Sequence, residues 1–412
     1  MKREKGESKM IAKKVLGDVP LTKDLIFLIV IGGLYSLSVA LSNTFVNIFL
    51  WKQSGSFYDI GLYKLIIVIF QPITFILAGK MAKMLDRVIV LRFGIIFLTT
   101  FYVTVLLVRE SASEYLILLG AILGIGYGFY WLAYNVLTFE ITEPENRDFF
   151  NGFLGIMSSI GGMVGPFLAG YIITHMFGYK GYMVIFSISM AFFGLAVVLS
   201  FFIKRRPAHG RYHFGRIIKE RKTNDNWRRI TWAHVCQGWR EGTFFFIVSI
   251  YVFLSTGSEL SLGSFGLINS GISFLVYFIA SRFIKKKYRN RFILIGGCGL
   301  FISIFLLIYN VTFMKLLIYG ASIAFFYPLL LIPYVSLTYD VIGSGWKAAE
   351  MRVEYIVVRE LYLNGGRALS ILLFLFAISF FDIKTIMPYI LVLLGSGHLF
   401  IYLFVKDIKL DM

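Results

Sequence analysis

Between residues 25 and 405 the chain divides into about twelve runs of predominantly apolar residues. Each is near the roughly 20 residues that a helix needs to cross a hydrocarbon layer. That pattern leaves little choice of fold. Hydrophobic residues make up 58% of the 412 positions and charged residues only 16%, so a water-soluble chain of this length would expose far too much apolar surface. In a bilayer every backbone N–H and C=O must be satisfied within the protein, and a helix does this segment by segment. The sequence therefore predicts an all-α membrane protein with twelve spans.

The runs come as two similar sets. Gly120, Ala121, Tyr127, Tyr134, Leu137 and Thr138 recur as Gly320, Ala321, Tyr327, Tyr334, Leu337 and Thr338, at a constant offset of 200 residues. Glu140 and Asp340 continue the match just beyond the apolar stretch. A second trace, at an offset of 202, pairs Lys83, Arg87 and Gly94 with Lys285, Arg289 and Gly296. Two pseudo-symmetric six-helix bundles are thus expected, over 25–203 and 231–405, the layout of many solute transporters. A hydrophilic basic linker, 204–230, separates them, and short segments at 1–24 and 406–412 flank them. Two readings of the linker stand side by side: a surface helix around Phe214, Ile217 and Ile218, or a solvated tether.

The formal charge of +18 follows from topology. With the N-terminus inside, Lys2, Lys13, Lys80, Lys83, Arg87, the linker and Arg289 all fall on the cytoplasmic side. The outer connections hold little beyond Lys52, Arg109, Lys180, Lys315 and Lys384. The positive-inside rule then places both termini in the cytoplasm, and the surplus charge calls for anionic lipid at most, not nucleic acid. The first apolar run is too long for a signal-peptide core, so no cleavage is expected. Cys236 and Cys298 lie in or beside spans without metal-ligand spacing, which predicts two inert thiols and neither a metal nor a disulfide framework.

The fifth span carries the most specific local pattern: Gly152, Gly161, Gly165-Pro166 and Ala169-Gly170. Small residues at these spacings let a neighbouring helix approach closely, and Pro166 frees a carbonyl and bends the helix. The segment resembles the Gly-x8-Gly-x3-Gly-Pro-x2-Gly-Gly motif of drug/proton antiporters of the major facilitator superfamily, with Ala169 the one departure. The loop after the second span resembles that superfamily's Gly-x3-Asp-Arg-x-Gly-Arg-Arg pattern through Gly79 and Arg87. Lys83 stands in the place of the acid and Asp86 in that of the second glycine. In the family this acid helps latch the two halves together, a role that Asp86, one turn later, is a candidate to take over. The arginine of the antiporters' fourth span is absent, Gly120 occupying its place. The resemblance therefore implies the superfamily's fold and alternating access for the whole chain, but a specific antiporter likeness for the fifth span alone.

The resemblance also implies a central cavity lined by spans one, four, seven and ten. On the fourth span Tyr127, Trp131 and Tyr134 share one face, and such rings suit stacking on and hydrogen-bonding to a solute, or simple packing. On the tenth, Tyr327-Pro328 and Pro333-Tyr334 suggest a locally broken helix. Asn43 and Asn47, one turn apart on the first span, are further candidates. Charges at membrane depth are costly and mark sites: Lys64, Arg240, Glu241, Arg359, Glu360 and Arg367. Each group reads either as part of a substrate site or proton relay, or as part of a structural ion-pair network. Arg240 and Arg367 are the candidates for substrate contact, and Glu241 and then Glu360 for proton coupling. His398, on the outer twelfth span, is expected to be structural.

These readings together predict a monomeric secondary transporter of the bacterial cytoplasmic membrane. It would move a small solute, in the export direction and coupled to protons, with membrane lipids as its other partners. No ATP-binding loop is present in the sequence and no cofactor is implied. Solute uptake, a lipid or glycolipid flippase opening between spans five and eight, and a non-transporting scaffold or membrane enzyme are the rival readings.

Overall fold

The computed structural model describes residues 22–141, 144–205, 210–284 and 286–409, with the backbone alone at 139–141, 144–156, 281–283 and 286. The terminal segments 1–21 and 410–412, and Lys285, lie outside the described residues. Gly152 and Glu140 lie where only the backbone is described.

The N-terminal half consists of α1 (Lys23–Ser54), α2 (Phe57–Met84), α3 (Arg87–Val108), α4 (Leu116–Ile141), α5 (Pro144–Thr174) and α6 (Lys180–Ser200). A short helix α7 (Phe214–Glu220) leads to the second half: α8 (Asp225–Thr256), α9 (Glu259–Phe283), α10 (Arg289–Ser303), α11 (Phe313–Gly343), α12 (Arg352–Phe380), and a last span formed by α13 (Ile383–Gly395) and α14 (Gly397–Val405). Ten described stretches are long and apolar enough to cross a membrane; one of them, Arg87–Thr138, contains both α3 and α4. The span missing from these stretches is α8, the seventh in chain order, whose apolar character is lowered by Arg240 and Glu241. Large apolar side chains such as Ile73, Leu77, Leu107, Ile117, Phe376 and Tyr389 remain exposed, which hydrocarbon solvates and water would not.

The duplication extends to the helix ends. Thr22 caps α1 and Asn224 caps α8, each side chain accepting a first-turn N–H. The same two helices stop at Gly55 and Gly257, both with φ of 64°, a conformation that favours glycine. Ser56 and Ser258 then cap the next helices. Packing repeats as well: α1 contacts α5 and α6, α4 contacts α2 and α3, and α3 contacts α6. In the second half α8 contacts α12 and α14, α11 contacts α9 and α10, and α10 contacts α14. The main contacts between halves are α2 with α12 and α5 with α9, pairs that exchange under a two-fold axis.

Of the two linker readings, a short helix forms, but it docks on protein. Ile217 is fully buried, and its carbonyl accepts from the Trp227 indole at 3.1 Å. Glu220 accepts from Tyr355 Oη at 2.6 Å and from the Trp346 N–H at 3.2 Å. The tenth span also departs from expectation: α11 continues through Pro328 and Pro333 without a break. The break falls instead in the last span, at Ser396, between Gly395 and Gly397.

In α5 the glycines face two different neighbours. A methyl group at Gly165 would sit 2.9 Å from Ala40 Cβ of α1, and one at Gly170 would sit 2.4 Å from the Glu259 carbonyl of α9. At Gly161 the nearest atoms are 3.5 Å away or more, so the three positions differ in what they tolerate. Gly165→Ala should destabilise the protein by about 1–3 kcal/mol through overpacking, whereas Gly161→Ala should leave thermal unfolding in detergent nearly unchanged. Equal melting temperatures for the two variants would show that the α1–α5 seam does not depend on this close approach.

Candidate functional site: a cavity between the two halves

A cavity of about 440 Å³ lies where α1 and α5 of the first half meet α8, α9, α11 and α14 of the second. Its wall is largely apolar, with Phe244, Phe245, Phe265 and Ile323 among the lining residues. The polar groups are fewer: the hydroxyls of Thr44, Ser249 and Ser270, and Asn43, Arg240, Glu241, Asn269, Tyr319, Tyr327 and His398. A mostly apolar pocket with a few convergent polar groups is what small-molecule sites look like.

Two groups of charge are built on α8. Glu241 is held by Arg367 of α12, whose Nη2 and Nε donate to Oε2 at 2.6 and 3.2 Å. Gln237 and Tyr327 donate to its other oxygen at 2.8 and 3.2 Å. The carboxylate is thus fully engaged, with the cation supplied by another helix. Backbone contact makes this possible. Methyl groups at Gly238 and Gly242 of α8 would lie 2.1 and 2.4 Å from the carbonyls of Leu363 and Arg367. One at Gly366 would lie 2.2 Å from that of Val235, whereas Gly365 faces open space.

Arg240 points elsewhere and finds no carboxylate among the described residues. Its Nη2 donates to Tyr319 Oη at 3.2 Å. Its Nη1 lies 3.5 Å from His398 Nδ1, and the guanidinium sits 4.7 Å above the Phe244 ring. Only 5% of Arg240 is exposed, and its Nε and the Nε2 of His398 have no hydrogen-bond partner among the described residues. His398 also stacks on Tyr327. It belongs to the cavity wall, although its place on an outer span marks it as structural in the sequence.

The remaining candidates are spread over the molecule. Asn43 lines the cavity, but Asn47 is buried away from it, its Oδ1 without a partner among the described residues. Tyr127, Trp131 and Tyr134 do not line it. Trp131 and Tyr130 pack edge-on and face-on against Tyr35 of α1, and Tyr134 donates to the Leu28 carbonyl at 3.5 Å. Their counterpart Tyr334 bonds His234 of α8, so this face ties paired helices together in both halves. Glu360 is paired with its neighbour Arg359 at 2.6 Å, and the Lys64 ammonium lies 5.2 Å from the centre of the Tyr63 ring. Asp86 caps α3 and accepts from Arg205 of the linker at 3.1 Å, while Arg87 opens that helix.

The contact across the halves is made by Lys83 instead. Its ammonium donates to Glu354 of α12 at 2.8 and 3.0 Å and to the Glu350 carbonyl at 2.6 Å. Gly79 allows the approach, since a methyl there would lie 2.8 Å from Tyr212 Oη and 2.9 Å from Val357. Burial, with the Glu354 carboxylate nearby, pushes the Tyr212 phenol well above its ordinary range. At the opposite end of the bundle Lys52 of α1 pairs with Glu259 of α9 at 2.5 Å, and Tyr182 donates to the same carboxylate at 2.8 Å. The cavity lies between these two bridges.

Comparison with known proteins agrees with this architecture. The Major Facilitator Superfamily sequence profile matches residues 28–353. The chain is 58% identical over 397 residues to an uncharacterized protein, YqgE, of Bacillus subtilis (strain 168), covering 96% of this chain and 92% of that one. It is 59% identical over 174 residues to an uncharacterized protein in the sodM 3' region of Geobacillus stearothermophilus, 42% of this chain and 81% of that one. A crystal structure of the human organic anion transporter MFSD10 (TETRAN) superposes with a TM-score of 0.66 over 94% of this chain and 100% of that chain, at 13% identity. The chain belongs to the Major Facilitator Superfamily, and its fold is that of a membrane transporter.

The Glu241–Arg367 pair carries a direct consequence. Removing one partner leaves the other buried and uncompensated, which costs about 3–5 kcal/mol. Glu241→Gln and Arg367→Gln should each lower stability by that order, and the double variant by clearly less than their sum. Additive losses in a double-mutant cycle would show that the pair is not coupled.

Proposed function

We propose that the protein is a secondary transporter that carries a small organic solute across the bacterial cytoplasmic membrane by alternating access. The observation that supports this best is a cavity shared by both halves and flanked by an inter-half ion pair at each end, Lys83–Glu354 and Lys52–Glu259. A rocking of one half on the other breaks one bridge while keeping the other. The Lys/Arg distribution favours the Lys83 end as cytoplasmic. Export is favoured by the glycine–proline segment of α5, which resembles that of antiporter-type exporters.

A flippase reading draws less support. Between α5 and α9 methyl groups at Gly170 and Gly263 would lie 2.4 and 2.5 Å from the carbonyls of Glu259 and Pro166, so that seam is closed. Proton coupling is assigned to Glu241, because a carboxylate among apolar walls keeps its charge only while its cation stays beside it. Movement that parts Arg367 from Glu241 would let the acid take up a proton, and its return would expel it.

Alternating access can be tested before the solute is known. With Cys236 and Cys298 replaced by serine, Asn43→Cys places a thiol in the cavity. Lys83→Ala should raise its labelling by an impermeant maleimide from the cytoplasmic side, and Glu259→Ala should raise it from outside. A scaffold would respond to neither, and reversed sidedness would overturn the topology. Coupling has its own test: Glu241→Gln should abolish dependence of transport on the pH gradient while exchange of solute persists. Unchanged pH-driven transport in that variant would assign coupling elsewhere.

A further inference from the structure

We infer that the cavity's ligand is an organic monoanion, an apolar body with one carboxylate-type head, and that Arg240, Tyr319 and His398 hold that head. The inference rests on the transporter reading only in treating the ligand as cargo; the binding site stands on its own geometry.

Charge is the first argument. Lining the cavity are one cation, Arg240, and one acid, Glu241, and the acid's charge is already matched by Arg367 behind it. Arg240 is left as a buried guanidinium whose contacts, Tyr319, His398 and the Phe244 ring, are all neutral as placed. An arginine so enclosed bears a desolvation cost that neutral groups offset poorly. A single negative charge in the cavity balances it, and a second would have no partner.

Donor count is the second argument. A guanidinium can only donate, so His398 Nδ1 must accept from it, and the ring proton then belongs on Nε2. That N–H and the Nε–H of Arg240 are buried without partners among the described residues. Tyr319 spends its oxygen on Arg240 and keeps its hydrogen. Among the described side chains of this corner the free donors therefore outnumber the acceptors. A carboxylate supplies acceptors only, in a planar array that suits the guanidinium. An ammonium or amide N–H would add donors to a site already in surplus.

The corner is also built rather than incidental. A methyl at Gly397 would lie 2.4 Å from the Cys236 carbonyl and 3.0 Å from the Arg240 nitrogen, so α14 touches the α8 backbone at this level. The break at Ser396 starts α14 there, and His398 follows directly. Around the rest of the cavity Val39, Phe245, Leu262, Phe265 and Ile323 provide an apolar lining. Its volume of about 440 Å³ suits a small ligand body of one or two rings.

The test uses the purified full-length protein and three matched probes: 2-naphthoate, its neutral amide, and 2-naphthylmethylammonium. Binding to the native state raises the melting temperature, and the naphthoate alone should do so. Arg240→Gln should weaken its apparent affinity roughly 10- to 150-fold, the range of a lost charged hydrogen bond. Arg240→Lys should recover part of it, and Tyr319→Phe should show a smaller loss. Unliganded melting and elution profiles establish that each variant is folded; if Arg240→Gln is not, the probe comparison and Tyr319→Phe still decide. Stabilisation by the ammonium or amide equal to that by the acid would overturn the inference. So would a wild-type protein indifferent to all three, or naphthoate binding unaltered in every variant. Proteoliposomes separate the two levels. Arg240-dependent binding without transport would sink the transporter reading and leave the site. Transport of the amide or ammonium without binding of the acid would do the reverse.

Discussion

The backbone contact of α8 with α12 is the interaction on which the centre of this protein depends. Gly238 and Gly242 on one helix and Gly366 on the other leave no room for a side chain between them, and apolar lipid gives helices no hydrophobic reason to associate. Close approach of small residues supplies the dispersion and geometry that replace it. The same approach brings Arg367 to Glu241, so the cost of burying a carboxylate is met across the helix pair. With Glu241 satisfied in this way, Arg240 is turned to the other side of α8, against α11 and α14. One packing decision thus sorts two adjacent charges into a compensated pair and an uncompensated cation.

The two ends of the bundle solve a different problem. There the halves are joined by ion pairs rather than by interdigitated glycines, and both bridges use a long lysine, 35% exposed at Lys52 and 12% at Lys83, paired with a nearly buried glutamate. At the Lys83 end the charges are reversed relative to the superfamily pattern. The loop carries the cation and the first turn of α12 carries the acid, Glu354, where the partial positive charge of a helix start also favours it. The linker reinforces this end, because His213 donates its N–H to Glu354 at 3.1 Å and Gly210 donates to the Lys83 carbonyl at 2.9 Å. The tether between the halves is therefore part of the closure.

Most of the architecture could be read from the chain, because bilayer thickness and backbone hydrogen bonding reduce the options to counting apolar runs. The internal offset of about 200 residues added the two-fold relation, which the caps at Gly55 and Gly257 repeat. The site was less legible. Arg240, Glu241 and Arg367 announce themselves as charges at membrane depth, and Asn43 and Tyr327 fall on helices expected to face the centre. The aromatic face of α4 carries the same chemistry as its copy on α11 but serves packing, since periodicity shows that residues share a face and not what that face meets. His398 was hidden for the opposite reason: nothing local shows that Gly395-Ser396-Gly397 breaks the last span and seats it against α8.

The sequence by itself determined that this chain spans a membrane twelve times in two related halves, and which residues are too polar to be idle there. Those properties follow from hydropathy, length and repetition along the chain. Only the tertiary structure decided which charge meets which: that Arg367 holds Glu241, that Lys83 rather than Asp86 bridges the halves, and that Arg240 is left facing the cavity with neutral neighbours. Pairing depends on distances of a few ångströms between helices far apart in sequence, and these are settled by how closely the small residues of one helix admit the backbone of the next.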